Sequence, residues 1–189
     1  LGTIDLAVRD FEKPGWGDRD AGSLRARLRP LSLPVREVIA RLKAAYRLIG
    51  SAAPHGETRV FYGYRRVQGE KTVTIGGLVK VQGLARVFPN TTHGFNVLYL
   101  VSSGLPRGAV VLAQAAKRKN VRVVINQNGV AYPGWYGKKF KSLNEPMAEL
   151  LRIADHVFYQ SEFCRMAAGE FLRVRPVSSE ILYNSIDTT

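Results

Sequence analysis

From residue 57 onward, short apolar runs alternate with stretches of helical periodicity, and this alternation restricts the chain to an α/β architecture. The runs at 59–64, 96–101, 121–125, 156–159 and 180–183 read as strands. The stretches at 77–88, 107–119, 142–153 and 161–172 read as helices between them. Strands joined through helices are predicted to pair in parallel, because each crossover returns the chain to the same end of the sheet. The runs are nearly unbroken, as in Val97-Leu98-Tyr99-Leu100-Val101, so helices are expected on both faces of the sheet. The expected fold class is α/β, a Rossmann-like doubly wound parallel sheet spanning residues 57–189.

Residues 1–56 follow another pattern. A loop is expected over 13–18, where Pro14, Gly15 and Gly17 interrupt the chain, and the breakers in 52–56 read as a linker. Between them Val35, Val38, Ile39, Leu42, Tyr46 and Ile49 recur at helical spacing, with Pro34 suited to the first turn. A basic amphipathic helix is therefore predicted over about 34–49, with Arg36, Arg41, Lys43 and Arg47 on its other faces. Its apolar stripe is read as the face that docks on a neighbouring domain. A helix lying on anionic lipid is the other reading.

The formal charge of +13 does not come from a tail. Residues 1–56 hold ten Lys/Arg against six Asp/Glu, and residues 57–189 hold eighteen against nine. Such a charge attracts phosphates of nucleotides, nucleic acid or anionic lipid without choosing among them. Cys164 is the only cysteine, so it has no partner for an internal disulfide, and a reducing cytoplasm fits. His55, His93 and His156 lack ligand spacing, and no metal is expected. No run of apolar residues is long enough to span a bilayer, and the start of the chain does not read as a signal peptide. The expected location is the cytoplasm, with peripheral contact at the inner membrane face.

Ligands of open parallel sheets bind beyond the carboxyl ends of the strands, so the residues that leave each strand are the candidates. These exits are Arg65 leading to Gly76-Gly77, then Ser102-Ser103-Gly104, Asn126-Gln127-Asn128-Gly129, Gln160-Ser161-Glu162, and Asn184-Ser185. Gly76 and Gly77 open a helix, where free amides and the helix dipole favour phosphate; a plain turn is the competing reading. The loop from Asn126 to Phe140 combines carboxamides with Tyr132, Trp135 and Tyr136, then Lys138 and Lys139. Carboxamides bond sugar hydroxyls as donor and acceptor, and aromatic faces cover the apolar side of a sugar ring. Ser161 suits the N-cap of the helix that follows, and Glu162 would complement its dipole. The G-x-G-x-x-G fingerprint is absent, and in 63–72 Glu70 separates Gly69 from Lys71 where a P-loop needs them adjacent. No Ser/His/Asp triad and no carboxylate pair across a cleft is evident, which argues against a hydrolase.

These residues carry a resemblance. Ile75-Gly76-Gly77 before a helix ending Leu84-Ala85-Arg86, the run 121–129, Ala154-Asp155-His156-Val157 leading to Ser161, and Tyr183-Asn184-Ser185-Ile186-Asp187 together resemble the N-terminal domain of family-4-type glycosyltransferases of the GT-B fold. The resemblance covers about 59–189. Asn128 stands where many members carry His, Asn184-Ser185 replaces their Asn-Gly, and the chain is short between the first helix and Phe95. It implies a retaining transferase that moves a sugar from a nucleotide-sugar donor to a glycan or lipid-linked acceptor without a bound metal or other cofactor. Gly76 and Gly77 would then face the donor phosphates, and Asn126, Asn128, Gly129, Tyr132 and Trp135 the sugar or acceptor. Gln160, Ser161, Glu162 and Asn184 would line the cleft toward a C-terminal domain whose paired glutamates hold the donor. No catalytic residue is assigned. Without that domain the fragment is expected to be inactive. The alternative is a non-catalytic α/β module binding anionic membrane or nucleic acid; of these partners nucleic acid is not expected.

Overall fold

In the computed structural model, residues 33–52, 56–69, 74 and 76–183 are described. The predicted loop at 13–18 and Asn184 lie outside them. Five strands, β1 (Val60–Phe61), β2 (Val97–Val101), β3 (Arg122–Gln127), β4 (His156–Tyr159) and β5 (Ser179–Ile181), form one parallel sheet in the order β1-β2-β3-β4-β5. The helices are α1 (Leu33–Arg47), α2 (Gly77–Val87), α3 (Ala109–Arg118), α4 (Phe140–Ile153) and α5 (Glu162–Leu172), with a single helical turn at Pro133–Tyr136.

The parallel, doubly wound α/β architecture expected from the alternating pattern is present. On its free side β1 makes one parallel bridge, Val60 to Asn90. The connection through α2 thus steps outward from β1, whereas those through α3, α4 and α5 step the other way across β2 to β5. Right-handed crossovers running in opposite directions place their helices on opposite faces. Accordingly α2 lays Leu78 and Val81 over Val60, Tyr62, Tyr99 and Val101. The other helices cover Phe61, Leu98, Leu100, Val123, Ile125 and Val157. The winding therefore reverses beside β1, and crevices at such reversals are where ligands bind in these sheets.

The first strand is shorter than the predicted 59–64. On its free side the Tyr62 N–H donates to Asn90 Oδ1 (3.2 Å) in place of a strand, while Asn90 Nδ2 donates to the Tyr64 carbonyl (2.9 Å). One carboxamide thus replaces the strand that the short stretch before Phe95 has no room to form. Asn90→Ala is expected to cost about 1–2 kcal/mol, since half-buried backbone groups lose their partner, and a urea titration measures it.

The predicted amphipathic helix forms, but it docks by the opposite face from the one expected. Ala44 and Leu48 enter the core beside α3, and Arg47 covers the Phe61 ring. Val35, Val38, Leu42, Tyr46 and Ile49 point away and are exposed. Small side chains let two helices approach closely, so Ala44 makes the docking face in preference to the bulkier stripe.

Candidate functional site

The exits of β2 and β3 meet at the first turn of α2. Gly76 is the N-cap, with φ 47° and ψ −118°, a conformation that side-chain-bearing residues seldom adopt. Gly77 is buried against the neighbouring exits: a Cβ there would lie 2.4 Å from Val101 Cγ1 and 2.7 Å from Asn128 Nδ2. Only a residue without a side chain lets α2 begin this close to β2 and β3. The Val79 N–H already donates to the Gly76 carbonyl (3.2 Å), but Gly77 and Leu78 precede any acceptor within the helix, so this end presents their amides and the positive end of the dipole.

Asn128 holds the arrangement together. Its Oδ1 accepts from Ser102 Oγ (2.7 Å) and from the Ser103 N–H (3.0 Å), and its Nδ2 donates to Ser103 Oγ (2.7 Å). Its own N–H donates to Ser102 Oγ (3.1 Å), and Cys164 Sγ donates to its carbonyl (3.5 Å). The exits of β2 and β3 and the first turn of α5 are thereby tied behind Gly76. Gly104, leaving β2, sits under Leu78 and Tyr64, and burial pushes the Tyr64 phenol up to about 12. Lys80, one turn along α2 from Gly76, donates to the Leu182 carbonyl just past β5 (3.0 Å). Burial holds its ammonium below the ordinary lysine value, partly offset by the nearby Cys164.

The other expected residues are placed as follows. Asn126 is fully buried within the sheet, where its Nδ2 donates to Tyr99 Oη (3.0 Å). The Gly129 carbonyl accepts from Gln127 Nε2, and the space above its Cα is open. Tyr132 packs edge-on against Phe171 and Trp135, and burial raises its phenol above the ordinary tyrosine value. Trp135 is 84% exposed on the single helical turn after β3. The root of this loop is anchored by Asn144 of α4, which accepts from the Ala131 N–H and donates to the Ala131 carbonyl. Ser161 caps α5 by accepting from the Cys164 N–H (3.1 Å), and Glu162 pairs with Arg165 (2.6 Å). Gln160 leaves β4 half-buried beside them.

Gly76, Gly77 and Asn128 are thus brought together, and Ser161 stands behind Asn128 through Cys164. Tyr132 and Trp135 belong to a separate cluster on the loop after β3. Lys80 enters the site without having been singled out, and Ser102 and Ser103, expected only as the exit of β2, enter it as the partners of Asn128. For Lys80 the signal was its spacing of four from Gly76, which puts both on one face of α2. Among the described residues no three metal-ligating side chains come together, and no helix is long and apolar enough to cross a membrane. Comparison with protein-family models, curated proteins and solved structures finds no match to this chain.

Proposed function

We propose that this chain is the acceptor-side domain of a retaining GT-B glycosyltransferase that takes its sugar from a nucleotide-sugar donor. The observation that carries the reading is the opening of α2 at Gly76-Gly77, braced by Asn128, with Lys80 one turn further on. A diphosphate is a compact double anion. Backbone donors and a helix dipole at a reversal of winding suit it, and Lys80 adds a positive charge one turn along the same helix. Asn128 is assigned a positioning role: both ends of its carboxamide hold the serines that set the first turn of α2. Gly129 and the exposed ring of Trp135 border the side on which an acceptor glycan would lie. A second domain with paired glutamates completes the donor site in this reading.

The test is to incubate the full gene product bearing this chain with UDP- and GDP-linked hexoses and measure released nucleoside diphosphate. The anomeric configuration of the product is read by NMR. Release of nucleoside diphosphate and a product of retained configuration are expected. A protein that neither binds UDP or GDP nor releases them from any donor sinks the reading.

A further inference from the structure

The exposed stripe of α1 has no role in that site. Val38, Leu42, Tyr46 and Ile49 are 54–65% exposed, and Val35 continues the line. Spacings of four keep Val38, Leu42 and Tyr46 on one side of the helix, opposite the Ala44 face that docks on α3, and Ile49 follows in the turn after the helix ends at Arg47. Placed at about 100° per residue, exposed Arg36 and Lys43 border the stripe on one flank and exposed Arg41 on the other. Glu37, the one acidic residue of the helix, is ion-paired with Arg41 (2.7 Å).

We infer that the Val35–Ile49 stripe of α1 is a docking face for an anionic lipid surface. Apolar side chains flanked by Arg36 and Lys43 on one side and by the Glu37-paired Arg41 on the other match the boundary of acyl chains and phosphate headgroups. The stripe enters the acyl region while the long basic side chains reach up to the headgroups. Tyr46 suits the same boundary, with an apolar ring and a polar tip. Charge decides among the occupants. A second copy of the face would set one row of cations against another, which opposes self-association. Residues 1–32 of the chain hold six Lys/Arg against five Asp/Glu, a net charge of +1, so as a whole they do not offset the flanking cations. An anionic bilayer complements both the stripe and the overall charge of +13.

The experiment is co-sedimentation of the full chain with vesicles of phosphatidylcholine alone and of equal parts phosphatidylcholine and phosphatidylglycerol. Binding is expected to the second and to weaken as salt is raised. Leu42→Asp should weaken it about tenfold with an unchanged melting curve, because Leu42 is outside the core. Lys43→Glu serves as a second variant and should reduce binding without touching the apolar stripe. Absence of wild-type binding to the anionic vesicles overturns the inference. So does full binding by Leu42→Asp, in particular if Trp135→Ala abolishes it and so moves the contact to the loop after β3. A dimer seen by light scattering that Leu42→Asp converts to monomer, without vesicle binding, overturns it as well. The result is independent of sugar transfer, which can be assayed with a soluble acceptor.

Discussion

A Gly76→Val protein is expected to keep its fold while turnover falls about 100-fold, the scale of misplacing a bound group by an ångström. A Cβ at Gly76 meets nothing nearer than Asn128 Nδ2 at 3.8 Å, so space exists for it. The backbone at φ 47° is strained for valine, at about 1–3 kcal/mol. The new side chain would stand over the first-turn amides that the proposal gives to the diphosphate. The neighbouring Gly77→Val behaves differently. Its Cβ would overlap Val101 and Asn128, so the brace between β2, β3 and α2 must open, at about 3 kcal/mol. Melting curves and donor titrations on both variants separate the two roles. Undiminished turnover in Gly76→Val removes Gly76 from the donor site, and an unchanged melting temperature in Gly77→Val contradicts the close approach.

Asp155→Ala is expected to lower stability by about 1–3 kcal/mol and to remove part of its dependence on acid. The carboxylate accepts from Lys117 Nζ at the end of α3 and from the Val123 N–H in β3 (2.8 Å). Val123 is fully buried, so alanine would leave its N–H without a partner. Desolvation alone would raise the Asp155 carboxyl. The hydrogen bonds from Lys117 and Val123 and the charges of Lys117 and Arg122 outweigh it, and the group titrates below the usual aspartate range. A depressed carboxyl contributes stability that is complete above the unfolded value, about 3.9, and is lost as pH falls through the folded one. Urea midpoints from neutral pH to pH 3 should therefore fall more steeply for the wild type than for Asp155→Ala. Parallel curves would show that Asp155 contributes nothing to the acid limb.

Asp155 also shows how a motif can be legible before its reason is. The Ala154-Asp155-His156-Val157 run stands out in the sequence as a strand entry. That its acid joins α3 to β3 emerges only when residues 117, 123 and 155 meet in space. The N-cap role of Ser161 was legible, because an N-cap acts on a residue three positions away and needs no tertiary partner. Asn128 was legible as a polar exit, but not as a brace, since Ser102 and Ser103 lie a whole crossover earlier in the chain. The α1 stripe was legible as apolar, and its outward direction was not. Periodicity reports that a face exists; which face docks depends on the partner helix, and α3 admits the alanine side.

By itself, then, the sequence determined the α/β class, the order of strands and helices, and the glycine pair at the opening of α2. Each of these rests on local periodicity or on the conformational range of one residue. Only the tertiary structure decided where the winding reverses, because one carboxamide at Asn90 stands in for a strand. It also decided that Asn128 lies against Gly76 and Gly77 and that Lys80 reaches the Leu182 carbonyl past β5. Such choices depend on which distant segments come within hydrogen-bonding reach, and a bond of about 3 Å between residues far apart in the chain leaves no local trace in the pattern.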